Sequence, residues 1–124
     1  MLLGEDITEQ IIGAAIDVHK APGPGLLESA YEECLCCELG VRGLKFKRQV
    51  DLPLSYKGIA LSCSYRIDVI VEGAVLLELK AVDRVLAVHE AQLLTYLRLS
   101  GLRVGLLLNF NATAMKQGIV RRVV

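Results

Sequence analysis

Residues 59–80 restrict what this chain can fold into more than any other stretch. They read as two apolar β-strands, Ile59–Val71 and Val75–Leu79, with charge at few positions. Asp68 closes the run Tyr65-Arg66-Ile67-Asp68, and Glu78-Leu79-Lys80 begins ten residues after it. Side chains alternate along a strand, so Glu78 and Lys80 share a face while Leu79 points into the core. Two carboxylates and a lysine on one face make a divalent-metal site suited to hydrolysing phosphodiesters. The acids hold the ion, and the lysine orients or deprotonates water and screens phosphate charge.

That arrangement depends on register. Pairing Asp68 with Glu78 sets Val71 opposite Val75 and leaves Glu72-Gly73-Ala74 as a three-residue loop, with Gly73 supplying a positive φ. A two-residue turn at Glu72-Gly73 would pair Asp68 with Leu77 and throw the acids onto opposite faces. The sequence therefore predicts the three-residue loop, or a bulge of equal effect.

The rest of the chain gives a mixed order of elements. Apolar residues at Ile7, Ile11, Ile12, Ala15, Ile16 and Val18 follow helical spacing over Ile7–His19. Two prolines and two glycines between Lys20 and Gly25 break that helix. A second helix spans Leu26–Leu39, with Gly40 in the place of a C-cap. Phe46–Leu54 is a strand, and Pro53 marks it as an edge or an end. Val75–Leu79 is almost wholly apolar, as a central strand covered on both faces is. Val88–Ser100 is a third helix closed by Gly101; Val104–Asn109 and Ile119–Val123 are further strands.

A length of 124 residues with 53% hydrophobic side chains fits one domain, residues 1–124, with one substantial core. No run of eighteen apolar residues is present, which excludes a transmembrane helix. The start Met-Leu-Leu-Gly-Glu-Asp carries acids where a signal peptide needs basic residues, pointing to the cytoplasm. Cys34, Cys36 and Cys37 crowd one helix and Cys63 stands apart. That spacing suits neither a zinc knuckle nor a disulfide framework, and the thiols are expected as small buried hydrophobes in a reducing compartment. Fourteen basic and fourteen acidic residues cancel. Strong autonomous binding of duplex DNA normally needs a basic excess, so that activity is disfavoured. Local basic clusters remain at Lys45, Lys47 and Arg48, and at Lys116, Arg121 and Arg122.

Two helix motifs flank the acid–lysine centre. In Gly25-Leu-Leu-Glu28-Ser-Ala-Tyr31, Glu28 and Tyr31 lie one turn apart on a shared face. Glu28 offers a third carboxylate to the metal, directly or through water. In His89-Glu-Ala-Gln92-Leu-Leu-Thr-Tyr96 the spacing puts His89, Gln92 and Tyr96 on one stripe, able to orient water, metal ligands or phosphate.

These residues carry a resemblance. Gly25-x-x-Glu28-x-x-Tyr31 resembles the signature of the GxxExxY protein family, within the PD-(D/E)XK nuclease-like superfamily. The likeness continues in order through Gln49–Gly58, Tyr65–Asp68, Glu78–Lys80, His89–Tyr96 and Gly105–Asn111, nearly the whole chain. Gln92-x-x-x-Tyr96 also resembles the helix motif of the helicase-associated branch of these nucleases. Ser62-Cys63-Ser64 departs from the pattern, where relatives tend to carry a polar or acidic residue and glycine, and bears on strand-edge detail.

The resemblance implies an α/β (α+β) fold with a restriction-endonuclease-like core. That core is a mixed sheet of about four strands flanked by helices, here with an extra N-terminal helix. It implies Asp68 and Glu78 as metal-binding acids for Mg²⁺ or Mn²⁺, with the Leu79 backbone carbonyl as a further ligand and Glu28 as the helical acid. Lys80 is then the catalytic lysine, Gln92 joins the catalytic set, and Tyr31, Arg66, His89 and Tyr96 support it or touch substrate. Because site residues of this kind face solvent, replacing them is expected to stop turnover with little effect on the fold. The implied substrate is DNA or RNA. The alternative is a non-enzymatic interaction or nucleic-acid-binding module that keeps the nuclease fold. The short length and neutral charge are also compatible with a homodimer or a protein partner, and no membrane association is implied.

Overall fold

The computed structural model describes residues 4–124, so the first three residues of the amino-terminal segment lie outside it. Helix α1 (Gly4–Lys20) and helix α2 (Glu28–Val41) precede three strands, β1 (Phe46–Tyr56), β2 (Ile59–Val71) and β3 (Val75–Lys80). Helix α3 (Ala87–Ser100) then leads to β4 (Val104–Asn109), a single 3-10 turn (Met115–Gly118) and β5 (Ile119–Val123). The five strands form one mixed sheet in the order β1-β2-β3-β4-β5. The β3–β4 pair is parallel and the others antiparallel. This is the α+β architecture expected, with five strands rather than about four and with the additional helix in front.

Each face of the sheet has its own core. Val69, Val71, Leu77, Leu79, Leu106 and Leu108 pack with Ile11, Tyr31 and Leu35 of α1 and α2. On the opposite face Leu52, Ile67, Leu76 and Leu107 pack with Leu93, Tyr96 and Leu97 of α3. Consecutive residues of β3 and β4 thus feed opposite cores, which is why both strands read as continuous apolar runs. Val75–Leu79 are all buried, and β3 is the middle strand. Pro53 sits on β1, an edge strand, and the β1–β2 register shifts just after it.

The loop that decides the acid geometry is the three-residue one. Val71 pairs with Val75, so Glu72-Gly73-Ala74 turn the chain, and both Glu72 (φ 53°) and Gly73 (φ 63°) are left-handed. Glu72 tolerates that backbone because the loop is tied to the start of β1. The Lys45 N–H donates to its carboxylate at 2.6 Å, and its own N–H donates to the Lys45 carbonyl at 2.8 Å.

Two helix ends behave differently. Gly101 (φ 79°) closes α3 as the sequence predicts. Gly40, by contrast, stays within α2, whose C-cap is Arg42. Arg42 explains the extension: its guanidinium bonds Glu38 one turn back and also reaches Asp17 and Gln10 on α1. That fork binds the two helices together, and the left-handed turn falls later, at Gly43.

Two glycines set the spacing around β4. A Cβ on Gly105 would come within 2.9 Å of the Leu93 side chain, so its absence lets α3 settle onto β4. A Cβ on Gly118 would meet the Asn109 backbone carbonyl at 2.2 Å. Side chains yield more readily than backbone, so Gly105→Ala should lower stability by about 1–2 kcal/mol and Gly118→Ala by more. Urea unfolding of both variants checks the order; equal losses would contradict it.

Candidate active site

The ladder between β2 and β3 stops at Val69–Leu77, one pair short of Asp68 and Glu78. Beyond that point β3 remains paired with β4 through Lys80, and β2 remains paired with β1. Side chains fill the gap that opens. The Leu79 N–H donates to the Asp68 carboxylate at 2.8 Å, and the Asp68 N–H makes a long 3.4 Å contact with Glu78 Oε1. Strand alternation also breaks here, since Ile67 packs toward α3 while Val69 packs toward α1 and α2. The two acids therefore meet in a slot between strands rather than on a flat face.

Burial differs from the sequence expectation. Glu78 is only 5% exposed and Asp68 is half-buried, so neither is a freely solvated side chain. Replacing Asp68 strands the Leu79 amide, a loss of about 1–3 kcal/mol when no partner takes over. The expectation that both acids can be removed at little structural cost is corrected on this point.

The electrostatics follow from that burial. Desolvation pushes the Glu78 carboxyl up to about 8, with the neighbouring Asp68 charge adding to it and Lys80 opposing. Asp68 is also raised, chiefly by burial, although the Leu79 amide favours its charged form. Glu32 and Glu28 of α2 raise it further, and Lys80 lowers it. Acids from α2 thus add their charge to the Asp68–Glu78 pair, and Lys80, on the strand of Glu78, opposes it.

The helical residues divide into two groups. Gln92 Nε2 donates to the Tyr96 hydroxyl at 2.8 Å, so this pair is joined as the spacing predicts. Tyr96 is buried, and its phenol is raised first by burial and then by the charge of Glu78. His89 has a capping duty as well. It accepts the Leu86 N–H on Nδ1 at 3.0 Å and donates its own backbone N–H to the Leu86 carbonyl, closing the N-terminus of α3.

Other expected residues have structural duties. Tyr31 is fully buried and stacks on Phe110 with centroids 4.7 Å apart. Its hydroxyl donates to the Gly23 carbonyl and accepts the Leu26 N–H, which fixes the loop leading to Glu28. Glu28 is exposed at the start of α2; it acts on the acids through charge, and among the described residues no three His, Cys, Asp or Glu side chains form a metal-holding group. Arg66 pairs with Asp51 on β1 at 3.5 Å, both strongly exposed. Leu79 buries its side chain in the α1–α2 core, so only its backbone can serve the site.

Two contributors escaped the sequence reading. Glu32 is buried and holds β1 against α2, accepting from Arg48 at 2.8 Å and Gln49 at 2.7 Å. Its signal was its position one turn after Glu28. Asn109, in register with Lys80, accepts the Val82 N–H at 3.1 Å and donates to the Val82 carbonyl at 2.9 Å. These two hydrogen bonds pin the chain just after the lysine. A buried amide ending an apolar strand was the available clue.

The basic clusters and the cysteines are also clarified. Arg48 is taken by Glu32 and Arg122 by Glu90, so both clusters are partly neutralised. Lys45 and Lys47 rim a groove of about 750 Å³ floored by Val50, Leu52, Ile67 and Leu102, and none of the three site charges lines it. All four cysteines are free, but only Cys36 is buried; the expectation of buried thiols fails for Cys34, Cys37 and Cys63. On the surface of α2 and the β1–β2 hairpin these three small residues displace little apolar area, so nothing drives them inward.

The raised Glu78 carboxyl gives a pH dependence. Its proton is held to about 8 in the folded chain against 4.5 as the reference for an exposed group. The folded state therefore binds more protons across that interval, and stability falls as pH rises through it. Thermal melts in chelator should show a decline on the order of a few kcal/mol from about pH 5 to 8. Glu78→Gln should flatten the profile; a decline unchanged in that variant would assign it elsewhere.

No curated protein and no solved structure matches the chain. A family model described as the PD-(D/E)XK nuclease superfamily matches residues 5–123, which takes in every strand, every helical motif and both acids. The chain belongs to the PD-(D/E)XK nuclease superfamily.

Proposed function

We propose that this domain hydrolyses phosphodiester bonds of DNA or RNA at Asp68, Glu78 and Lys80 with Mg²⁺ or Mn²⁺. The observation that carries the reading is the meeting of the two carboxylates in the β2–β3 slot, with Lys80 on the same strand as Glu78. A buried acid pair held next to each other is poorly compensated by one lysine, and a divalent cation would offset both charges. Hard oxygen donors suit these ions, and Mg²⁺ in particular binds through one or two carboxylates while keeping several waters. When bound, the cation would supply Lewis-acid stabilisation of phosphate charge and lower the pKa of a coordinated water.

The chain's own groups account for the remaining work. Asp68 and Glu78 would hold the ion, with the Leu79 carbonyl as a further ligand and Glu28 contributing through water. Lys80 would orient the attacking water and offset charge that develops on the phosphate. Asn109 fixes the backbone after Lys80, so the ammonium is presented from a rigid strand end. The Gln92–Tyr96 bond gives a fixed polar edge on the α3 side. Membership of the GxxExxY branch is supported by Gly25, whose φ of 108° suits glycine, and by the Tyr31 hydroxyl that ties the same loop. The free cysteines fit a reducing cytoplasm, and no described helix is long and apolar enough to cross a membrane.

One observation favours a second reading. Arg48 and Arg122 are committed to acids and the net charge is zero, so neither basic cluster is wholly free to hold a duplex. A non-enzymatic module that lends this fold to a partner would have the same surface.

Titration calorimetry separates the two. Mn²⁺ and Mg²⁺ should bind the wild type, and binding should disappear in the Asp68→Ala, Glu78→Ala double variant. Metal-dependent cleavage of labelled single- and double-stranded DNA and RNA should fall at least about a hundredfold in Lys80→Ala. The Lys80→Ala melt should stay close to wild type; a large loss of stability would make Lys80 a structural ion-pair partner. Absence of metal binding in the wild type would favour the module.

A further inference from the structure

Tyr65 stands three residues before Asp68 on β2, and the residue is 46% exposed. One side of its ring rests against Tyr96, with centroids 5.6 Å apart and planes inclined by 46°. Tyr96 is the buried tyrosine bonded to Gln92 that feels the charge of Glu78 and Asp68. Tyr65 is therefore an open aromatic surface three residues along the strand from Asp68, backed on one side by a second ring.

The surroundings of Tyr65 favour bases over phosphates. Because β2–β3 pairing begins only at Val69, residues near Tyr65 belong to a β1–β2 ribbon with no third strand beside it. Tyr65, Cys63, Leu61 and Ile59 alternate along β2, all exposed, and Tyr56 pairs opposite Ile59. Between Pro53 and Tyr65 the single charged residue is Lys57. A surface of rings and aliphatic groups cannot neutralise a duplex backbone, but it can receive the flat faces of bases. In a duplex those faces are covered by neighbouring pairs; in an unpaired strand they are open.

Resting on the phosphodiesterase reading of the same site, we propose that Tyr65 is a stacking platform for an unpaired base beside the scissile phosphate. The substrate class is then single-stranded or locally unpaired nucleic acid. Stacking is indifferent to base identity, so the preference is for strandedness rather than sequence. It also supplies affinity that the neutral overall charge does not.

The test uses Lys80→Ala protein with Mg²⁺, which should bind without turnover, and follows fluorescence anisotropy of a short labelled strand alone or annealed to its complement. In that background Tyr65→Phe should keep its affinity for the single strand, while Tyr65→Ala should lose about ten- to a hundredfold, the size of one base–aromatic stack. The annealed form should bind more weakly than the single strand. Melting curves of the two Tyr65 variants confirm that each is folded, and the phenylalanine variant carries the ring without the hydroxyl. Equal single-strand affinity in Tyr65→Ala, or a preference for the duplex, overturns the proposal. So does a change in elution mass without a change in affinity, which would assign the ring to a protein interface. Failure of the parent and of wild type to bind or cleave any oligonucleotide sinks the phosphodiesterase reading itself, and is seen before any change at Tyr65.

Discussion

The Asp68 carboxylate takes the place of a missing strand pair, and the site is organised around that substitution. Where β2 and β3 separate, the Leu79 N–H would lose its ladder partner inside a buried sheet. Asp68 accepts it at 2.8 Å, so an ionisable group is drawn between two strands that are themselves rigidly paired on their other edges. An unpaired buried amide is costly, which makes the placement of this carboxylate a requirement of folding as well as of chemistry. Once Asp68 is there, Glu78 has a like charge beside it and little water, and its affinity for a proton rises. The same proximity that disfavours two charges is what would favour a divalent cation.

The flanking helices serve this slot from both sides of the sheet. On one side, Tyr31 stacks on Phe110 and holds the Gly23–Leu26 loop that leads into α2, whose Glu28 and Glu32 add negative charge near Asp68. Glu32 is neutralised by Arg48 and accepts a hydrogen bond from Gln49, which couples the α2 position to the strand opposite Asp68. On the other side, Gly105 lets α3 settle onto β4, and Tyr96 of that helix contacts Tyr65 and feels the charge of Glu78. Asn109 secures the chain after Lys80. Residues from α2, β1, β3, α3 and β4 thus act on one small volume, although few of them touch the reacting groups.

Much of the scaffold was legible because its signals are periodic or local. The strands Ile59–Val71, Val104–Asn109 and Ile119–Val123 carry the predicted bounds, since apolar runs bordered by Gly, Asn and charged residues leave little freedom. Glu72-Gly73-Ala74 was derivable from the parity needed to bring Asp68 and Glu78 together, and Val71 does pair with Val75. Gly101 was readable as a cap from its place after the last apolar turn. Gly40 was misread by the same rule, because Arg42 gains three helix contacts by prolonging α2 past a glycine that local propensity would use as a stop. His89 carries a duty that spacing alone does not reveal: the otherwise unsatisfied Leu86 N–H at the helix start donates to its ring.

By itself the sequence determined the order of elements, the alternation that sets Glu78 and Lys80 on one side of β3, and the length of the turn before it. These follow from period and sterics, which act between residues close along the chain. Only the tertiary structure decided that Glu78 is buried, that the β2–β3 ladder ends just before the acids, and that Glu32 and Asn109 brace the site. Burial and long-range hydrogen bonds depend on which surfaces meet, and here they join residues 27 positions apart, Val82 and Asn109. A single strand's pattern says which way a side chain points; what it meets there is set by the elements packed against it.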